Sequence, residues 1–155
     1  MEYLKPEPRK KTTKRPLNKM TDKRDEYERM KRAAYKEISK TRPMVCQGCG
    51  SKENLSRSHT LSVKHHIKHI GNVKNIYITC HPCHMKVESS RFYDLECGKE
   101  LVGFMLELEE KSGIGRLYKM IDRATEENIN LPEWAVEIVN RYIFNPSHPP
   151  KDGVS

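Results

Sequence analysis

Two cysteine pairs of the form C-x-x-C constrain this chain more than any other feature. The first pair is Cys46 and Cys49, and the second is Cys80 and Cys83. Because two residues separate the members of each pair, both sulfurs of a pair can reach one ion. Four thiolates complete a tetrahedral zinc site with no open coordination position, which is typical of structural zinc. The spacing therefore predicts a structural zinc ion that joins two distant parts of the chain.

A pair of redox dithiols is the alternative interpretation of these four residues, but it usually needs a βαβ setting that the sequence does not suggest. Cys97 is left over, and we expect it to be a buried free thiol. Residues 1–16 lack the apolar core of a secretory signal. No segment approaches the roughly 20 apolar residues of a membrane span. We therefore predict a cytoplasmic protein with no membrane partner.

Length and composition limit the size of the fold. A chain of 155 residues suits one compact domain with tails. With 35% hydrophobic residues its core is small, and domains with small cores are often stabilised by a bound metal. We predict an α+β fold in which a zinc-stapled β-hairpin and helix form the core, with α-helices on either side. The predicted parts are a flexible basic tail (1–20), an N-terminal helix (21–43), a zinc-bound core (44–95), a helical extension (96–145) and a second tail (146–155).

Apolar spacing and turn residues predict the individual elements. Gly113 to Gly115 is expected to separate the first two C-terminal helices, and Trp134, Val136, Ile138 and Val139 are expected in the core. The predicted helices cover about 22–40, 82–93, 101–110, 117–125 and 132–142, and the predicted strands cover 54–61 and 73–79, with a His- and Lys-rich loop at 63–71.

The net charge of +8 is unevenly distributed. Residues 1–91 hold 22 basic and 9 acidic residues, whereas residues 92–155 hold 7 basic and 12 acidic residues. A basic half is typical of proteins that bind a polyanion, although simple solubility is the alternative. We therefore expect DNA as the partner of the basic half, with the acidic helices facing away from it. Those helices are also the predicted contact surface for a protein partner or a second copy of the chain.

Three further residues stand at suggestive distances from the cysteines. His59 lies ten positions after Cys49, Asn75 five before Cys80, and His84 directly after Cys83. With the cysteines, this pattern resembles the HNH (ββα-metal) endonuclease family, and in particular the phage recombination nucleases of the lambda NinG (Rap) type. The resemblance covers about residues 44–95, and the segment from Asn75 to Cys83 is its most specific part.

The resemblance implies a fold, an activity and roles for these residues. It implies a β-hairpin and a helix around a divalent cation, and an activity that hydrolyses DNA phosphodiester bonds. Branched DNA of phage recombination is one substrate that it implies, and a homing or nicking role is the alternative. His59 would be the general base, Asn75 would brace the loop between the strands, and His84 would bind the catalytic cation. A neutral imidazole can accept a proton near neutral pH, so the residue type suits the role.

The sequence departs from the family's commonest pattern at one position. Many members carry Asp directly before the base histidine as a second metal ligand, whereas this chain has Ser58. Glu88 follows His84 by four residues, so both side chains share one face of a helix. We therefore predict His84 and Glu88 as the catalytic metal pair. A carboxylate ligand favours Mg²⁺ or Mn²⁺.

Basic residues around the predicted site are expected to contact phosphates rather than bases. His66 is an alternative general base if the first strand is misplaced. A non-catalytic zinc module that binds nucleic acid is the alternative function, and Ser58 favours it. A zinc-stapled protein-interaction domain is a third reading. The predicted nucleic-acid contacts are Arg57, Lys64, Lys68 and Lys74.

Overall fold

A computed structural model describes residues 21–144 of the chain. Both predicted tails and the last residue of the predicted helical extension, residue 145, lie outside the described residues. Seven main elements follow one another, with short 3-10 turns at Ile67–His69, Val73–Asn75 and Phe92–Asp94. These elements are α1 (Thr21–Thr41), β1 (Leu55–His59), β2 (Ile76–Cys80), α2 (His81–Glu88), α3 (Gly98–Leu108), α4 (Glu110–Glu126) and α5 (Glu133–Tyr142).

The strands form a two-stranded antiparallel hairpin, which confirms the α+β fold class. Ser58 lies opposite Tyr77, and His59 lies opposite Ile76. Directly opposite residues share a face and successive residues alternate between faces. The segment from residue 60 to residue 75, which we call the interstrand loop, joins the two strands.

The β2 strand is buried on both faces. Ile76 and Ile78 pack against Ala34 and Ile38 of α1 in a small core. Tyr77 belongs to a larger core that includes residues of α2, α3, α4 and α5. The hairpin therefore lies between α1 and the other helices, and its two faces have different surroundings.

The α1 helix agrees with the prediction, and its last residues secure the hairpin. It ends one residue before Arg42, which precedes a proline and is thereby disfavoured in helical conformation. The Arg42 guanidinium donates hydrogen bonds to the carbonyls of Ile76 and Val73, at 2.6 and 2.9 Å. Ala34 and Ile38 of this helix are buried, whereas Met30 is 40% exposed.

The predicted break at Gly113 to Gly115 is wrong, because α4 begins at Glu110 and continues through both glycines. The chain turns at Glu109 instead. A Cβ at Gly113 would lie 2.9 Å from the Cα of Leu106 and 2.8 Å from its Cδ2. Gly113 therefore permits close packing of α4 on α3 and does not interrupt the helix.

Three smaller predictions also need correction. The α2 helix ends at Glu88, well before Tyr93, and the chain then takes a left-handed conformation at Ser90 with φ of 62°. Residues 73–75, predicted as strand, form a 3-10 turn. Val136 was expected in the core but is 43% exposed, whereas Val139 is buried.

Candidate functional site

Four thiols meet at one point, as the sequence predicts. The Sγ atoms of Cys46, Cys49, Cys80 and Cys83 all lie within 4.8 Å of one another. The Sγ atom of Cys80 is 3.6 Å from that of Cys46 and 3.7 Å from that of Cys49. A tetrahedral ion with Zn–S bonds of about 2.3 Å separates its sulfurs by roughly 3.8 Å. The thiol cluster therefore fits a structural zinc ion.

The first cysteine pair lies on a tight turn. The Gly50 amide donates to the Cys46 carbonyl at 2.8 Å, and Gly50 has φ of +75°, which favours glycine. A Cβ at Gly48 would come within 3.0 Å of the Cys83 Sγ, so a larger residue would crowd the cluster. Burial opposes ionisation of Cys46, but hydrogen bonds from backbone amides outweigh it and lower its pKa to about 7.

Cys97 is a buried thiol outside the cluster, in agreement with the sequence prediction. Burial raises its pKa to about 12, so the thiol stays protonated at neutral pH. Cys97 is therefore a packing residue, and the four clustered thiols are the metal-ligand candidates.

The Asn75 side chain is fully buried at the base of the interstrand loop. Its Oδ1 accepts a hydrogen bond from the Leu61 amide at 2.7 Å, and its Nδ2 donates to the carbonyls of Leu61 and His69, both at 3.2 Å. These bonds satisfy buried backbone groups that would otherwise cost free energy. Asn75 thereby ties the two ends of the loop together.

His84 lies in the first turns of α2, between β2 and a carboxylate. Its Nδ1 forms a 2.9 Å hydrogen bond with the Tyr77 hydroxyl, and its Nε2 lies 4.0 Å from Oε1 of Glu88. Burial raises the pKa of Tyr77, the Glu88 charge adds to the shift, and a hydrogen bond with Ser58 opposes it. Ser58, Tyr77, His84 and Glu88 therefore form one polar cluster, which we call the His84 cluster.

His59 lies on the opposite face of the hairpin from the His84 cluster. Its ring contacts the Tyr35 ring of α1, with centroids 6.1 Å apart. Its Nε2 donates to the Ile70 carbonyl at 2.9 Å, because a carbonyl can only accept. The structure therefore brings His84 and Glu88 together, whereas the His59 side chain contacts Tyr35 and Ile70.

Three of the four residues predicted to contact phosphate have a partner within the protein. Arg57 donates to the Ser39 hydroxyl at 2.6 Å and so connects β1 to α1. Lys68 pairs with Glu109 and Lys74 pairs with Glu107, whereas Lys64 is exposed.

The acidic C-terminal helices contact the basic interstrand loop at the corner between α3 and α4. The Glu109 carboxylate binds both Lys68 and the His69 Nε2, the latter at 2.9 Å. Opposite charges at this corner therefore hold the interstrand loop against the helices. The Lys68 hydrogen bond, followed by that of His69, lowers the pKa of Glu109.

Sequence reasoning missed two residues beside the site. Tyr77 is one of several apolar residues of its predicted strand, and its contact with His84 depends on the fold. Arg116 of α4 donates to the Val87 carbonyl and lies over the Phe92 ring at 5.2 Å. No local pattern relates Arg116 to the cysteine-rich segment, so only the packing of α4 reveals it.

Comparison of the chain with protein-family models, with curated proteins and with solved structures finds no match. Among residues 21–144, no helix combines the length and apolarity that crossing a membrane requires. Function is therefore inferred from the residues of the site.

Proposed function

We propose that this protein is a metal-dependent DNA endonuclease of the HNH type, which hydrolyses phosphodiester bonds on a hairpin stapled by zinc. The observation that carries the proposal is the pairing of His84 with Glu88 on the helix that begins at the thiol cluster. An imidazole and a carboxylate close together form a donor set that divalent cations accept.

The surroundings of His84 suit a metal ligand. A ligating histidine normally has its second ring nitrogen held by a hydrogen bond, which fixes the tautomer and the ring orientation. Here the Tyr77 hydroxyl holds Nδ1 and leaves Nε2 towards Glu88. The Nε2 atom and a Glu88 oxygen would hold the cation. When bound, the cation would offset charge on the phosphoryl oxygens.

The proposed metal site has only two protein ligands, His84 and Glu88, because Ser58 replaces the carboxylate that the resembled family commonly has. Ser58 lies on the face of His84, and it is directly opposite Tyr77, whose pKa it lowers. Ser58 therefore supports the orientation of His84 through Tyr77, and Glu88 supplies the carboxylate. A cation held by two side chains keeps open positions for phosphate and water.

His59 is suited to the role of general base by its tautomer. Because Nε2 donates to the Ile70 carbonyl, the neutral ring carries its lone pair on Nδ1. That nitrogen can accept a proton from water. His59 is the last residue of β1, so its role requires substrate to reach the end of the strand.

DNA is the proposed substrate because the basic half of the chain contains the site. Residues 1–91 carry a net charge of +13, and phosphate neutralisation dominates nucleic-acid affinity. The four thiols bind a metal only when reduced, which agrees with a cytoplasmic protein.

A non-catalytic zinc module that binds nucleic acid is the second candidate. It is favoured by the separation of His59, beside Tyr35 on one face of the hairpin, from His84 on the other. Under this alternative, the thiol cluster and the basic charge have the same roles, but no bond is cleaved.

A nicking assay distinguishes the two candidates. Purified protein is incubated with supercoiled plasmid, with linear duplex and with branched DNA, with and without Mg²⁺ or Mn²⁺. The nuclease proposal expects metal-dependent cleavage that His84→Ala abolishes. His81→Ala is the matched control, because His81 is an exposed histidine of the same helix. Absence of cleavage by the zinc-loaded wild type with every metal and substrate would leave the binding module as the function.

The same assay tests the general base. His59→Ala is expected to slow nicking by about 10²–10⁴-fold while DNA affinity and zinc content stay unchanged. His66→Ala is the comparison, because His66 is the alternative base. Wild-type rates in His59→Ala, with a large loss in His66→Ala, would transfer the role to His66.

A further inference from the structure

A cavity of about 290 Å³ lies between the interstrand loop and α4. Ser112, Arg116 and Lys119 line it from α4, at the spacing that places side chains on one helix face. Thr60 and His66 are among the residues that line it from the other side. None of the lining residues is acidic, and two carry a permanent positive charge. The cavity therefore favours an anion.

Arg116 has hydrogen-bonding capacity that the protein does not use. Its Nη2 donates to the Val87 carbonyl, whereas its buried Nε has no hydrogen-bond partner. Within residues 21–144, no carboxylate oxygen lies within the 4.0 Å of an ion pair with Arg116. Burial lowers the pKa of Arg116, and the Glu88 charge opposes the shift. A partly buried guanidinium with so few partners costs free energy that a bound anion would offset.

Other polar groups around the cavity are arranged for a ligand with several oxygen atoms. The Thr60 hydroxyl is buried and lacks a hydrogen-bond partner within the described part of the chain. The Ser112 hydroxyl lies 3.3 Å from the His66 Nε2, and Lys119 is exposed. A guanidinium fork and an ammonium group together match the oxygens of a phosphate.

We propose that this cavity binds a backbone phosphate of nucleic acid, with Arg116 as its main ligand and Lys119 as a second cation. The proposal rests on the proposed function only where it names nucleic acid as the source of the phosphate. Arg116 donates a hydrogen bond to the carbonyl of Val87, the residue directly before Glu88 of the proposed metal pair. A phosphate bound by Arg116 would therefore lie near that pair and help to position the nucleic acid there.

Salt-dependent DNA binding tests the proposal. Affinity for a fluorescent duplex is measured at several salt concentrations without divalent cation, using the wild type, Arg116→Gln and Lys119→Gln. Each variant is expected to weaken binding and to reduce the slope of log affinity against log salt by about 0.9, the value for one lost phosphate contact. Lys99→Gln is the charge-matched control, because Lys99 is exposed on α3 and does not line the cavity. Slopes equal to that of the wild type in both cavity variants would overturn the proposal.

Two further measurements separate folding defects and free phosphate from this result. Lys119→Gln changes only an exposed side chain, so it remains informative if the melting temperature of Arg116→Gln falls. Titration of the wild type with inorganic phosphate is expected to shift the Arg116 Nε–H resonance in a ¹H–¹⁵N spectrum. A shift with phosphate and unchanged DNA slopes would identify a free-phosphate site and overturn the nucleic-acid assignment. No shift, together with no DNA binding, would overturn the site altogether.

Failure of this proposal is distinguishable from failure of the nuclease proposal. His84→Ala is expected to retain the wild-type salt slope while it loses cleavage. Reduced slopes in the cavity variants without cleavage by the wild type would support the phosphate site and reject the nuclease. Normal cleavage by the wild type, with unchanged salt slopes in both cavity variants, would support the nuclease and reject the phosphate site.

Discussion

At the scale of single residues, Tyr77 connects the two halves of the His84 cluster. Its hydroxyl hydrogen-bonds with His84, it lies opposite Ser58 in the hairpin, and its ring lies in the larger core. A local change at this hydroxyl would therefore alter the orientation of His84 without removing a proposed ligand.

We predict that Tyr77→Phe raises the Mn²⁺ concentration needed for half-maximal nicking by about 10–100-fold, the usual effect of losing a group that orients a ligand. The ring remains, so the melting temperature should change little. Metal titrations of nicking and thermal melts of both proteins provide the measurement. An unchanged metal requirement in the folded variant would show that Tyr77 does not orient a ligand.

The thiol cluster gives a second prediction at this scale. Cys80→Ser should lose zinc and unfold the hairpin, because zinc binding and folding are coupled. Elemental analysis and thermal melting measure both effects. Cys97→Ala is the control, because Cys97 is a buried thiol outside the cluster and should leave zinc content unchanged. Native-like melting of zinc-free Cys80→Ser would contradict a structural metal.

These residues differ in how far the sequence reveals them. The four cysteines form a repeated spacing pattern, so the sequence predicts their cluster although 34 residues separate Cys46 from Cys80. Tyr77 contacts His84 only seven residues away, but neither residue belongs to a pattern that indicates this contact. Arg116 contacts Val87 through the packing of α4, which no local pattern predicts. The sequence also cannot reveal which face of the hairpin holds His59, because that depends on the strand register.

At the scale of elements, the glycines of α4 show where local propensity fails. Glycine lowers helix propensity by about 1 kcal/mol relative to alanine, which favoured a break at Gly113 to Gly115. Tertiary packing reverses that expectation, because Gly113 lies against the backbone of Leu106. The helices α1 and α5 begin and end within one residue of their predicted bounds, because Pro43 follows the end of α1 and Pro132 precedes the start of α5.

A pair of substitutions in α4 tests this explanation. Gly113→Ala should destabilise the protein by about 1–3 kcal/mol, because the added Cβ would overlap Leu106. Gly115→Ala should stabilise it by up to about 1 kcal/mol, because nothing lies within 4 Å of its Cβ position. Urea denaturation of the zinc-loaded proteins measures both free energies of unfolding. Equal and favourable effects would show that α3 and α4 do not pack closely at Gly113.

At the scale of the whole molecule, the thiol cluster and the ion pairs connect different parts of the fold. The thiol cluster joins the segments on either side of β1 and the interstrand loop. Acidic residues at the corner of α3 and α4 neutralise Lys68 and Lys74, so these lysines are less available to a polyanion than the sequence suggests. Other basic groups, including Arg116, are then the remaining candidates for contact with a polyanion, and the sequence of residues 1–20 adds seven basic side chains.

The last prediction concerns those N-terminal residues, which carry 7 basic and 2 acidic side chains. Removing residues 2–20 should weaken binding to all DNA sequences alike, because a basic tail neutralises phosphates without reading bases. The slope of log affinity against log salt should fall by as much as about 6 if every basic residue makes a phosphate contact. Removal of residues 146–155, which hold one lysine and one aspartate, is the matched control and should leave the slope unchanged. Binding of the three proteins to two unrelated duplexes across a salt series provides the measurement. An unchanged slope after removal of residues 2–20 would show that the tail takes no part in binding, and a loss restricted to one duplex would show that it reads sequence.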